Sequence, residues 1–213
     1  MLLLAIDTAT PAVTVALRNG EVVLAESSTV DARRHGELLA PAIRQVLQAA
    51  GVVPSGLTAV VVGLGPGPYT GLRVGVVTAA ALSHSLGAPA YGACSLDVIA
   101  ADAQPGEGFV VATDARRREV YWAAYDGSGN RVDGPHVDRP ADVPVGDRRV
   151  EGPAVDLYAE AMGWRGGAVR YPRAATLGRL VAARAAAGRP GDELRPLYLR
   201  RPDAVERAAV TPA

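Results

Sequence analysis

The chain has no lysine: all 22 of its cationic residues are arginine, and 22 acidic residues balance them to a formal net charge of zero. That balance excludes a strongly basic nucleic-acid binder and a charge-extended disordered chain. The missing lysine excludes a Walker-type phosphate loop, which needs a lysine directly after its last glycine. A single cysteine, Cys94, excludes an internal disulfide and fits a reducing cytoplasm. No apolar run is long enough to span a membrane, and Met1–Ile6 is too short for a signal peptide. The three histidines, His35, His84 and His136, share no metal-binding spacing, so no zinc or iron site is expected. There is no Gly-x-Ser-x-Gly elbow for a serine hydrolase. Cys94 lies among small residues and reads as a buried small hydrophobe, not a nucleophile. His35 reads as a surface or interface residue at a helix start. What remains is 213 residues, 49% of them hydrophobic, enough for one large domain or two small ones.

The chain is organised around Gly63–Gly75. A short β-branched run, Leu57–Val62, precedes it and reads as a buried strand. The alanine-rich run Leu72–Leu86 follows and reads as a helix. Between them, Gly63-Leu-Gly65-Pro66-Gly67-Pro68 holds three glycines and two prolines in six positions, a rigid and sharply turning connection. Thr70 is placed to cap the helix. A strand, a stiff loop and a helix N-terminus favour anions. The plainer alternative is a structural loop that aims the helix, with positive φ expected at Gly67.

Upstream, Leu2–Asp7 reads as a buried strand. Ala12–Arg18 and Val22–Ser27 read as two more, joined by the hairpin signal Asn19-Gly20. Arg33–Ala50 is helical, with Pro41 either delaying its start to Glu37 or kinking it. Ser95 is placed to cap a short helix. Asp102–Gly108 is the best boundary, giving residues 1–104 and 105–213 as two halves. Beyond it the pattern restarts with strands Phe109–Thr113 and Glu119–Tyr125. Gly134–Gly146 reads as loose and proline-rich, Arg149-Val150 as a strand, and Ala154–Met162 and Ala174–Ala187 as helices. The tail from Asp192 reads as extended, with its last residues disordered.

An aspartate ends the opening strand of each half, Asp7 and Asp114, which suggests an internal duplication. Asp7, Thr8 and Thr10 are nucleotide candidates, the carboxylate for a metal and the hydroxyls for phosphate. The alternative is an Asx-turn that stabilises a hairpin. Arg116-Arg117-Arg118 sits at a hairpin tip, where it either meets tRNA phosphates or an acidic partner, or is simply solvated.

Together these residues resemble the TsaB family, also called YeaZ. The resemblance rests on Leu4-Ala-Ile-Asp-Thr-Ala-Thr10 and Arg34-His35-Gly36-Glu37. It rests above all on the motif Gly65-Pro66-Gly67-Pro68-Tyr69-Thr70-Gly71-Leu72-Arg73-Val74-Gly75. It implies an α/β, actin-like and sugar-kinase-like (ASKHA) fold of two duplicated β-β-β-α-β-α subdomains, the second degenerate. It also implies a non-catalytic subunit that works with a TsaD-like catalytic subunit. Their product is N6-threonylcarbamoyladenosine at position 37 of tRNAs that read codons beginning with A. The expected partners are TsaD, a TsaE-like ATPase through the complex, tRNA indirectly, and a second copy of the chain when it is alone. No cofactor of its own is expected; ATP or ADP belongs at the interface with TsaD. Asp7-Thr8-Ala9-Thr10 departs from the Asp-x-Gly-Thr phosphate loop of active members of the fold, because Ala9 adds a Cβ where phosphate needs close backbone approach. The alternatives are an active small-molecule kinase and a homodimeric scaffold for another client.

The pairing surface is expected on the first two helices. Gly71, Gly75, Ala79 and Ser83 form a stripe of small side chains at a spacing of four, flanked by Leu72 and Val76. Leu38, Leu39, Ile43, Val46 and Leu47 look like more apolar surface than one sheet needs. The alternative is that both helices pack only on their own sheet.

Overall fold

The computed structural model describes residues 1–200. Two mixed five-stranded sheets repeat one plan. The first holds β1 (Leu2–Asp7), β2 (Ala12–Asn19), β3 (Val22–Val30), β4 (Ala59–Gly63) and β5 (Ala90–Ala93), in the order β3-β2-β1-β4-β5. The second holds β6 (Phe109–Asp114), β7 (Val120–Tyr125), β8 (Arg131–Asp138), β9 (Arg149–Glu151) and β10 (Arg165–Gly166), in the order β8-β7-β6-β9-β10. In each sheet the first three strands are antiparallel and the last two add on in parallel. The duplication suggested by Asp7 and Asp114 is therefore a duplication of topology. It is the arrangement expected of the actin-like, sugar-kinase-like fold, in an α/β chain.

The five helices are α1 (His35–Ala49), α2 (Tyr69–Leu86), α3 (Ser95–Ala100), α4 (Val155–Met162) and α5 (Ala174–Ala186). The second half is degenerate: where α1 joins β3 to β4, only a single 3-10 turn, Pro140–Asp142, lies between β8 and β9. Pro41 sits inside α1 without ending it, and the helix begins at His35, not Glu37. The stretch expected to be loose beyond Gly134 is in part the edge strand β8.

Alternation decides which layer covers each face. Leu4, Ile6, Val60 and Val62 point to α1 and α2, where Leu39, Ile43, Val46, Leu72 and Val76 meet them. Leu3, Ala5, Ala59 and Val61 point the other way, to Ala174, Leu177 and Val181 of α5. β4 is buried along its whole length, as a run covered on both faces requires. The second sheet is also sandwiched: Trp122 lies on one face and Tyr125 on the other, as alternation along β7 predicts. Helices cross between the halves. α5 covers the first sheet, while Leu96, Ile99 and Ala100 of α3 pack on Phe109 and Val111 of the second. A division at residues 104 and 105 keeps each sheet in its own half, and we propose it on that ground.

After α5 the chain runs extended, as expected. Asp192 accepts the Gly92 N–H at 2.9 Å, and the Leu197 N–H donates to the Leu64 carbonyl at 2.8 Å. The Tyr198 ring stacks on Tyr69 at 5.4 Å, and Arg200 reaches the Ala115 carbonyl and Glu119. The tail thus ties the first sheet to the β6–β7 hairpin. The expectation of a disordered end falls on residues 201–213, outside the described residues.

Candidate functional site

The turn after β1 and the loop after β4 interlock. Asp7 is fully buried at the end of β1. Its Oδ1 accepts the Ala9 N–H at 2.8 Å, the Asx-turn of the plainer reading. Its Oδ2 accepts the Ser95 hydroxyl at 2.6 Å, while the Ser95 Oγ accepts the Gly65 N–H at 3.3 Å. Burial pushes the Asp7 carboxyl up to about 6, against the pull of Ser95, Ala9 and His35. Ser95 therefore does not cap α3. Its hydroxyl is committed to Asp7, and Cys94 takes the cap position without a side-chain bond.

Thr8 bridges the turn to α2. Its hydroxyl donates to the Gly71 carbonyl at 2.7 Å and accepts the Gly75 N–H at 3.0 Å. Gly71 and Gly75 are the two ends of one helical turn, so Thr8 sits in the helix ladder itself. The glycines make this possible. A Cβ on Gly75 would lie 2.5 Å from the Thr8 Oγ1. One on Gly67 would collide with the Ala9 carbonyl, and one on Gly63 with the Asp7 carboxyl. The small-residue stripe thus admits a turn of its own chain. Gly67 does not have the expected positive φ; Gly65 does, at 85°. Close packing is what makes glycine necessary at 67. Thr70 caps nothing, since α2 starts at Tyr69 after Pro68 with no side-chain cap.

The helix residues expected to face a partner are corrected in the same way. Leu39, Ile43, Val46, Leu47, Leu72, Val76 and Ala79 are buried in the chain's own core, and Leu38 packs at its edge. Gly71 and Gly75 are buried against Thr8. One sheet face absorbs both helices, because β1, β2 and β4 offer it an unbroken apolar surface. The outward face of α2 carries Arg73, Val77, Ala80, Ala81 and His84 instead, with Val77 59% exposed.

His35 is also corrected. It is buried, and its Nε2 lies 2.8 Å from the Thr10 carbonyl, so that nitrogen carries the hydrogen. It was missed because its partner is 25 residues away and local spacing carries no trace of it. Ser95 was missed for the same reason, lying 88 residues from Asp7. Cys94 is buried as expected, and burial pushes its thiol up to about 12, which makes it inert at neutral pH.

A cleft of about 280 Å³ opens beside this interlock. Thr8, Thr10, Arg33, His35, Tyr69, Thr70 and Gly71 line it from the first half, and Asp114 and Arg116 from the second. Of the nucleotide candidates, Thr8 and Thr10 therefore reach a cleft between the halves, while Asp7 lies beneath it, fully buried. The polar atoms of Asp7 and Thr8 are nevertheless already engaged within the chain. In the motif, Arg73 lies over the Tyr69 ring and bonds its hydroxyl, on the outer side of α2. Among the described residues, no group of three or more His, Cys, Asp or Glu side chains could hold a metal ion. No helix there is long and apolar enough to cross a membrane.

Known proteins resemble this chain over most of its length. The family model described as TsaD, tRNA N6-adenosine threonylcarbamoyltransferase, matches residues 23–187. An uncharacterised protein of Mycobacterium tuberculosis is 49% identical, over 98% of this chain and 96% of its own. The Bacillus subtilis tRNA threonylcarbamoyladenosine biosynthesis protein TsaB is 36% identical over 126 residues, 59% of this chain and 55% of that protein. The solved structure of YeaZ from Pseudomonas aeruginosa superposes with a TM-score of 0.77 at 30% identity, covering 93% of this chain and 99% of that one. The motif Gly65–Gly75, the duplicated topology and these matches agree, and the chain belongs to the TsaB/YeaZ family.

Proposed function

We propose that this chain is the non-catalytic subunit that a TsaD-like enzyme requires to form N6-threonylcarbamoyladenosine at position 37 of tRNAs reading codons beginning with A. Membership of a family named for tRNA threonylcarbamoyladenosine biosynthesis supports the pathway. One observation carries the non-catalytic part. At the position where an active relative would cradle phosphate, Asp7 and Thr8 are spent as struts between β1, α2 and α3. Ala9 stands where active members of the fold carry glycine; its methyl is buried in the core, and Gly67 packs directly on its carbonyl. A turn so filled supports α2 and keeps the Asp7 and Thr8 side chains engaged within the chain.

The partner contact falls on the outward faces of α1 and α2, now assigned to Val77, Ala80 and Ala81 in place of the buried residues. A second copy of the chain would use the same face when no partner is present. ATP or ADP would sit at the shared interface, with a TsaE-like ATPase joining through the complex, all in the cytoplasm. The test is reconstitution with the TsaD-like protein of the same cell, unmodified tRNA and the threonylcarbamoyl adenylate donor. Product is expected only when both chains are present, and Val77→Arg should abolish it in a folded protein. Transfer by this chain alone would overturn the reading. ATP turnover by the lone chain that is lost in Asp7→Ala would point to a kinase instead.

A further inference from the structure

The hairpin between β6 and β7 has no role in the interlock or in the partner contact, yet its backbone is unusual. Arg116, Arg117 and Arg118 take φ values of 64°, 54° and 61°, three consecutive left-handed residues with none of them glycine. Such conformations are disfavoured for side chains with a Cβ and persist where the surroundings hold them. Here the Arg116 N–H is held by Asp114 at 2.9 Å, and the Glu119 N–H returns to the Arg116 carbonyl at 3.0 Å. The result is a tight tip with three exposed guanidinium side chains.

The tip is continuous with other groups of matching chemistry. Arg116 lines the cleft, and Arg33 lines the same cleft from the first half. Tyr69 lines it too and is 49% exposed, stacked on Tyr198, which is 44% exposed. Arg73 lies over Tyr69, and Arg200 joins the tail to the base of the hairpin. Among the described residues, Asp114 lies 3.5 Å from Arg116, and Arg200 engages Glu119. Arginines from both halves and from the tail thus gather along this rim, although the whole chain is neutral.

We propose that this rim is a direct docking site for the sugar–phosphate backbone of RNA, with the Tyr198 ring, stacked on Tyr69 on one side and 44% exposed, available to an unpaired base. Arginine forks suit phosphate, and an aromatic face beside them suits single-stranded nucleotides. An acidic protein segment would be served by the arginines but has no use for the exposed ring pair. The choice of RNA as occupant rests on the tRNA-modification reading above. The contact is with the RNA chain away from the modified base, which the catalytic subunit handles.

The test uses the full chain and a fluorescein-labelled, unmodified tRNA transcript, followed by anisotropy from 50 to 200 mM salt. The variant R116Q/R117Q/R118Q keeps polar side chains and removes the charge. It should bind roughly ten-fold more weakly, with a slope of log affinity against log salt shallower by about 2. If that variant does not fold by circular dichroism, the single change Arg118→Glu carries the same test. Unchanged affinity and slope, or no tRNA binding by the wild type below about 100 μM, would overturn the proposal. Loss of the TsaD-like partner with tRNA binding intact would overturn it in favour of a protein contact. Failure of reconstituted modification in the wild type, with arginine-dependent tRNA binding retained, would overturn the functional reading and leave the rim standing.

Discussion

The turns that follow β1 and β6 begin alike and end in opposite environments. Each leaves the central strand of its sheet through an aspartate whose Oδ1 accepts the N–H two residues on, Ala9 at 2.8 Å and Arg116 at 2.9 Å. The first turn is packed over: Asp7, Thr8 and Thr10 are all buried, and only Thr8 and Thr10 touch the wall of the cleft. The second opens onto a cleft with three arginines exposed. The difference lies in what covers them. Over the first, the loop after β4 brings Gly67 onto Ala9, and α2 brings Gly71 and Gly75 onto Thr8. In the second sheet the corresponding loop after β9 begins Gly152-Pro153. It meets β6 at Ala112, two residues short of Asp114. One local signal thus serves as a structural strut in one half and as an exposed tip in the other, depending on the reach of a neighbouring loop.

The largest test breaks the packed-over half. Leu39→Glu with Val76→Arg places two charges in a core where both residues are nearly inaccessible. The cost should exceed about 4 kcal/mol, because buried charges without satisfied partners are strongly destabilising. The double variant should be unfolded by circular dichroism at 25 °C. Val77→Arg, on the same helix but outward, should melt within a few degrees of wild type. A folded double variant would show that these side chains face outward after all.

Asp7 gives the next effect, through pH. Burial pushes its carboxyl from the ordinary aspartate value of 3.8 up to about 6 in the folded chain. The native state holds that proton more tightly than the unfolded chain, so this group's contribution is full below about pH 4 and is lost as pH rises through 6. A gap of about two pH units corresponds to about 3 kcal/mol at neutral pH. Asp7→Asn removes the titration. Its stability should change less between pH 4 and pH 7 than that of the wild type, measured by urea unfolding. Parallel curves would show that Asp7 is not the buried acid described here.

Thr8→Val is smaller. It keeps the shape and removes the hydroxyl that joins Gly71 to Gly75. The loss should be about 1–3 kcal/mol, with Thr8→Ser close to wild type. An unperturbed Thr8→Val would mean that the helix closes its own ladder at this point.

Which of these features were legible follows from how local their causes are. Strands β1, β2, β4, β6, β7 and β9, the boundaries of α4 and α5, the Asn19-Gly20 hairpin and the duplicated aspartates are written in short-range patterns, and the structure has them within a residue or two of where the patterns put them; the edge strands β8 and β10 carry no such pattern. The placement of α1 and α2 was not. Leu39 and Val76 have the spacing of an apolar face, but spacing does not say how much sheet awaits it. Only the assembled β1, β2 and β4 show that one face takes both helices. The roles of His35, Ser95 and Thr8 depend on partners 25, 88 and 63 residues away, which no window of sequence contains. Gly152-Pro153 repeats Gly65-Pro66 after the corresponding strand, each glycine with positive φ, and was a readable signal of the duplication that the sequence reading passed over.

The smallest effect has opposite signs in the two turns, which makes it the sharpest comparison of them. Arg118 holds φ at 61°, a conformation that costs a residue with a Cβ about 1–2 kcal/mol and glycine almost nothing. Arg118→Gly removes that cost and gives part of it back, because glycine leaves the unfolded chain more freedom to lose. The net gain should be about 0.5–1 kcal/mol, a rise in Tm of roughly 2–3 °C for a chain of this size. Ala9 occupies the equivalent region of the packed-over turn but has negative φ, so glycine relieves nothing there. Ala9→Gly should lower stability by about 0.5–1 kcal/mol through the unfolded state. It also deletes a buried methyl from the core cluster on that face, which adds to the loss. The two variants should therefore melt on opposite sides of the wild type. If Arg118→Gly melts lower, the left-handed tip is held by contacts of the arginine side chains, and its backbone is not under strain.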